Sequence, residues 1–204
     1  MPKPSAQRNF TDPESRMMKT NHGFDYTYNA RAMVDEAHQV GLAANVTQPA
    51  TEIDELVPMI EKTKENLAAA GIGGSLKTAL ADAGYGSEDN LEATEDLGPD
   101  VLCATGRQRH GEKFQEIPRG PVPKNATRRE RMARWPRTKK GRADYAGRKA
   151  IVEPAFGQMK VRRSAGQLRA RGLAGAKGEW TLHVVCHNLR ELRNAGGSAL
   201  FAPA

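Results

Sequence analysis

At 204 residues, with 38% hydrophobic and 5% aromatic content, the chain is long enough for one domain with a substantial core, and no apolar run reaches the length of a membrane span. Its net charge of +7 conceals an asymmetry, because residues 1–100 carry 8 Lys+Arg against 17 Asp+Glu whereas residues 101–204 carry 23 against 7. Two cysteines, Cys103 and Cys186, and an N-terminus without a signal-like apolar stretch argue against a secreted disulfide scaffold, so a soluble, cytoplasmic protein is expected. A basic half of this size points to a phosphate backbone or an anionic membrane as partner, with nucleic acid favoured over a basic surface that serves solubility alone.

In chain order, residues 1–9 read as a loose polar lead-in, with a short strand expected around 8–11. Segments 26–34 and 40–47 are strand-like and joined by the charged link Asp35-Glu-Ala-His38, which predicts a β-hairpin. Thr51 and Asp54 resemble a capping box opening a helix to about residue 70, with Pro58 marking a start nearer itself. Gly71-Ile-Gly-Gly74 ends that helix. Residues 77–81 run apolar into Asp82-Ala-Gly84-Tyr85, Ser87 is a good N-cap for a helix over 88–97, and 100–104 reads as a short buried strand. This alternation of strand and helix predicts an α/β class.

From 106 to 142 the composition turns to Arg, Lys, Pro and Gly, which reads as a basic loop excursion. Residues 143–162 are helical by pattern, 163–175 form a Gly-rich basic turn region, and 178–192 should form a buried C-terminal helix. One domain over 10–195 and a flexible tail over 196–204 complete the expected organisation.

Three groups of residues invite a chemical reading. Asp82 ends an apolar run just before Gly84, where open α/β sheets hold ligands, although an Asp-x-Gly sequence also serves as a cap or Asx-turn. Tyr85 beside it suits packing on the sheet or stacking on a base. Glu153 is a single acid within Tyr145-Ala-Gly-Arg148-Lys-Ala-Ile-Val-Glu153-Pro-Ala-Phe156-Gly157-Gln-Met-Lys160. It suits either an intrahelical ion pair with Lys149 or Arg148, or a carboxylate ligand for Mg²⁺ with Lys160 on phosphate. Asp12 and Glu14 precede the hairpin in what is also ordinary turn chemistry, and Asp35 competes with Asp12 for a third acid. His183-x-x-Cys186-His187 reads as core packing in an apolar helix rather than as half of a zinc site.

Together these residues resemble the catalytic region of bacterial insertion-sequence transposases of the DDE class. The resemblance is carried by Asn9-Phe-Thr-Asp-Pro-Glu-Ser-Arg16, Tyr28-Asn-Ala-Arg31, Ala81-Asp-Ala-Gly-Tyr85 and residues 145–160, and extends to Arg169-Ala-Arg-Gly172, Glu179-Trp-Thr-Leu182 and His187-Asn-Leu189. It implies a ribonuclease-H-like mixed sheet flanked by helices, with Asp12, Asp82 and Glu153 as first, second and third acids holding Mg²⁺ or Mn²⁺. Tyr145, Arg148 and Lys160 look like the signature residues around the third acid, with Arg163 as a further phosphate contact and Trp135 as a stacking residue for an unpaired base. The Glu-x6-Lys spacing fits the family pattern, and the Arg148-to-Glu153 interval is one residue longer than its commoner form. The expected activity is metal-dependent cleavage and strand transfer on DNA, with two catalytic domains acting together. Because the chain begins almost at Asp12, a truncated copy is expected, the alternative being a catalytically inactive DNA-binding remnant.

Overall fold

A computed structural model describes residues 8–20, 23–49, 53–103, 120–162 and 164–196. It is a mixed α/β structure of three two-stranded sheets and five α-helices among the described residues. The chain divides into two compact units, Met1–Ala50 with Val152–Ala204, and Thr51–Ile151.

The first unit opens with a hairpin of β1 (Arg16–Thr20) and β2 (Gly23–Thr27), antiparallel with Arg16 opposite Thr27. The strand expected over 8–11 is therefore displaced to β1. Residues 9–15 instead wrap into a turn in which Ser15 donates from its N and Oγ to the Asp12 carbonyl, at 3.1 and 2.7 Å.

The predicted hairpin forms between β3 (Asn29–Val34) and β4 (Gly41–Thr47), antiparallel, with a register shift at Met33/Val34. Its link is organised by Asp35, whose carboxylate accepts from the backbone N–H of His38 at 2.9 Å and of Val40.

Over this sheet lies α5 (Gly172–Gly196). Its buried residues Ala176, Trp180, Val184 and His187 fall at helical spacing. Ala176, Trp180 and Val184 pack with Ala44, Val46, Met159 and Ala165 in one core. Trp180 is fully buried and its Nε1 donates to the Arg31 carbonyl at 2.7 Å, so the indole fills the core without stranding its polar atom. Asn188 brackets Gly41, accepting from its N–H and donating to its carbonyl, both at 2.7 Å. A Cβ at Gly41 would stand 2.6 Å from Val184 Cγ1, so this close approach of strand and helix requires glycine.

The helix is buried on one face only, because Leu182, Val185, Leu189 and Leu192 on the opposite face are 46–61% exposed. The expectation of a buried helix therefore holds for half of its circumference. Residues 197–204, the expected tail, lie outside the described residues.

In the second unit a 3-10 turn (Ile53–Glu55) leads into α1 (Leu56–Ala69), with Pro58 in its first turn, where a missing N–H costs no intrahelical bond. Thr51 of the expected capping box lies outside the described residues. Gly71, at φ +69°, ends the helix in a Schellman arrangement, its N–H on the Ala68 carbonyl and that of Ile72 on the Leu67 carbonyl, both 3.0 Å.

β5 (Thr78–Ala81) and β6 (Asp100–Cys103) pair in parallel with Ala81 opposite Cys103. They are connected through α2 (Glu88–Thr94), whose N-cap Ser87 accepts from Asn90 N at 3.2 Å as expected. Burial pushes the Cys103 thiol up to about 11, which keeps it protonated and unreactive at neutral pH.

The basic excursion contains helices the composition did not suggest. α3 (Arg128–Arg134) opens with a capping box of Thr127 and Glu130. The α3 start is tied to α2 by Glu88, whose carboxylate accepts from Arg128 N at 2.7 Å and Arg129 N at 3.0 Å, and by an Arg128–Glu95 ion pair at 2.7 Å. α4 (Lys139–Gly157) begins earlier than predicted and continues as a π-helical turn (Gln158–Arg162). The division between the two units falls within α4, between Ile151 and Val152.

Candidate active site

Asp82 follows directly on β5, at the C-terminal end of the parallel pair, where the pattern of the sequence put it. The turn after it is closed by backbone alone, Tyr85 N donating to the Asp82 carbonyl at 3.0 Å, and the Asp82 side chain caps nothing. The capping alternative for this carboxylate is thus replaced by a long-range ion pair, because Oδ1 accepts from Arg148 Nη1 of α4. The Asp82 side chain is 57% exposed and that of Arg148 only 17%. The Arg148 guanidinium lies 5.2 Å from the Tyr145 ring centroid, as residues three apart on a helix allow.

Arg148 therefore pairs with Asp82 rather than with Glu153, and the side chain of Lys149, the other partner expected for Glu153, lies outside what is described. Glu153 itself is exposed on α4 and followed by Pro154, inside the helix. One turn on, Phe156 packs against Trp180 at 5.7 Å between ring centroids, and Lys160 Nζ stands 5.4 Å from the Phe156 centroid. The Phe156–Trp180 contact thus anchors the C-terminal part of α4 in the core of the first unit while Lys160 stays exposed. Trp135 is half-buried in the 3-10 turn Trp135–Arg137, and Arg163 lies outside the described residues.

Asp12 is held differently. Tyr28 OH donates to Asp12 Oδ1 at 2.7 Å. Burial disfavours the charged form of Asp12, but hydrogen bonds from Tyr28 and from the backbone of Gly172, Glu14 and Ser15 outweigh it and hold the carboxyl below its ordinary value. Burial, and then the bond to Asp12, push the Tyr28 phenol far up in turn. Beside it Glu14 Oε2 accepts from Leu173 N at 2.9 Å, placing a negative charge at the first turn of α5. Sequence reasoning missed this docking of residues 12–14 on the start of α5. The only prior signal was the run of turn-forming polar residues around Pro13.

The competing acid Asp35 spends its carboxylate on its own link. His187 is fully buried with Nε2 2.8 Å from the Gln39 carbonyl, so the core reading of that motif holds for it, while His183 and Cys186 are half-buried.

The three acids expected as ligands, Asp12, Asp82 and Glu153, are each carboxylates, the donor type a hard cation takes. Among the described residues no group of three His, Cys, Asp or Glu side chains gathers into a metal-holding cluster in either unit. No described helix is long and apolar enough to cross a membrane.

No curated protein and no solved structure matches the chain. Residues 107–193 match the family described as Transposase DDE domain, a stretch that includes Tyr145, Arg148, Glu153 and Lys160 but neither Asp12 nor Asp82. Over those residues the chain is similar to the DDE domain of transposases.

Proposed function

We propose that the chain is the catalytic part of a DNA transposase, cutting and joining phosphodiester bonds with the help of divalent metal. The observation that carries this reading is the solvent-open carboxylate of Asp82 at the C-terminal end of a parallel strand pair, joined to the signature residue Arg148 of the matched segment. Two antiparallel hairpins followed along the chain by a parallel strand pair with a helical connection are in keeping with the strand order of a ribonuclease-H-like design.

In this reading Asp12, Asp82 and Glu153 hold Mg²⁺ or Mn²⁺, and Tyr28 keeps Asp12 ionised and oriented as ligating carboxylates require. A metal held by these acids would supply activation of a water or 3′-hydroxyl and stabilisation of the departing oxygen. Lys160, Arg163 and the exposed Lys139, Lys140 and Arg142 at the start of α4 meet the phosphates of transposon ends and target, and Trp135 offers a ring to an unpaired base. A homodimer in the cytoplasm would bring two such sites to one DNA.

The test is nicking of supercoiled DNA by the purified chain in Mg²⁺ or Mn²⁺, compared with Glu153→Gln. Loss of a metal ligand should cost more than the roughly 10–100-fold typical of residues that only support ligands. Equal nicking by both proteins would remove Glu153 from the mechanism.

A second reading, a DNA-binding remnant without activity, is favoured by the finding that no group of three acids gathers among the described residues. It predicts salt-sensitive DNA binding with no cleavage in either metal.

A further inference from the structure

We infer that the outer face of α5 pairs two copies of this chain, helix against antiparallel helix, through a seam of Leu182, Val185, Leu189 and Leu192. The inference deepens the homodimer of the proposed function, whose purpose rests on the transposase reading, by naming the surface through which the copies meet.

This face is unlike that of a helix made for water. α1 turns Glu61, Lys62, Lys64 and Glu65 to solvent, whereas α5 presents four aliphatic side chains there. They follow one another at intervals of three, four and three residues, the a and d spacing of a heptad. Side chains so spaced form one stripe, which a second helix fills by knobs-into-holes packing. So short a stripe would not hold two free peptides together as a coiled coil. Here α5 is already fixed by its inner face, through Ala176, Trp180 and Val184 in the core. Pairing therefore orders little that is not ordered already, and burial of the aliphatic stripe is left to drive it.

The polar groups beside the seam tolerate being covered. On one flank the Thr181 hydroxyl donates to the Lys177 carbonyl at 2.8 Å, and the Asn188 side chain is engaged with Gly41 in both directions. Taking them out of water strands neither side chain. On the other flank stand Glu179, Cys186 and Arg193.

These charges select a second copy and its direction. In a parallel pair Arg190 and Arg193 of both copies would gather at one end, with Glu179 left at the other. An antiparallel pair, with Leu182 facing Leu192 and Val185 facing Leu189, sets Arg193 of each copy beside Glu179 of the other. Glu179 gives Oε2 to the N–H groups of Arg169 and Ala170, while Oε1, 3.9 Å from His183 Nε2, is left for a further cation. The surface is thus self-complementary, as a two-fold interface requires. The same register brings the two Cys186 side chains opposite one another beside the two-fold axis.

One helix face lies at the small end of specific interfaces, so a micromolar dissociation constant is expected. Sedimentation equilibrium of the purified chain, without DNA or metal, over a range of concentrations tests this. The parent should pass from monomer to dimer, and a short bismaleimide should cross-link it but not Cys186→Ser. Leu189→Gln should raise the dissociation constant about tenfold or more, because each seam residue is lost twice per dimer. Leu182→Gln should act alike and serves if the first variant melts below the assay temperature. Arg193→Glu should raise the constant about two- to fivefold, the range of an exposed ion pair. A parent that stays monomeric, or a dimer that both leucine variants leave as tight as before, would overturn the pairing through α5. A dimer weakened by those variants but not cross-linked through Cys186 would overturn its antiparallel direction. Nicking by Glu153→Gln is a separate measurement, so either failure leaves the transposase reading to its own test.

Discussion

Asp12 precedes β1 and Asp82 follows β5, and the two units of the chain hold these acids in opposite ways. Asp12 is gripped by neutral donors, the Tyr28 hydroxyl and backbone N–H groups at its own turn and at Gly172. Asp82 is met by a single cation at an open strand end. Neutral hydrogen bonds tie an acid into the frame, so the acid and the frame stand or fall together. An exposed ion pair contributes little to the fold. The same residue type is thereby part of the frame in one unit and contributes little to it in the other.

The frame beneath Asp12 is broken most severely by Trp180→Ala. It empties a fully buried site and leaves the Arg31 carbonyl without its donor, which should cost about 3–5 kcal/mol of stability. Urea unfolding measures the loss. Amide exchange should rise in β3, β4 and α5 before it rises in α1 and β5, and uniform loss would mean that the two units do not differ in this way.

Tyr28→Phe probes the grip itself and should cost about 1.5 kcal/mol, the lower end for a hydrogen bond to a charged group. Its pH dependence has a definite sign. The folded-state value of Asp12 lies below its ordinary 3.8, so its contribution to stability is present above that pH and is lost as pH falls through the lowered value. Unfolding midpoints compared at neutral and strongly acidic pH should therefore differ less in Tyr28→Phe than in the parent. An unchanged acid limb would detach Asp12 from the fold.

The smallest effect is expected in the second unit. Ser87→Ala removes the N-cap of α2, for about 1 kcal/mol, and lies within the connection between β5 and β6. It should lower the melting temperature slightly without changing Mn²⁺ affinity. A large change in that affinity would show that Asp82 depends on its surroundings as closely as Asp12 does.

Several elements were legible before the fold was known. The β3–β4 hairpin, β5, β6 and α2 follow from apolar runs bounded by Asp, Gly and Ser, whose backbone preferences act locally. The β1–β2 hairpin was not, because Arg16-Met-Met-Lys-Thr20 and Gly23-Phe-Asp-Tyr-Thr27 leave most of both strands open to solvent and carry no clear alternation. α3 hid in a basic composition, although Thr127-Arg-Arg-Glu130 carries the capping-box spacing that marks its start.

By itself the sequence determined the charge division, the helix bearing Glu153, the strand end bearing Asp82, and a DDE-class signature that the family match over residues 107–193 supports. These are properties of neighbouring residues, set by backbone periodicity and side-chain size. Only the tertiary structure decided that Arg148 meets Asp82 across 66 residues, that Tyr28 meets Asp12, and that α5 buries Trp180 and His187 while leaving Leu182 and Leu189 outside. Such pairings depend on the path of the whole chain, which no local spacing encodes.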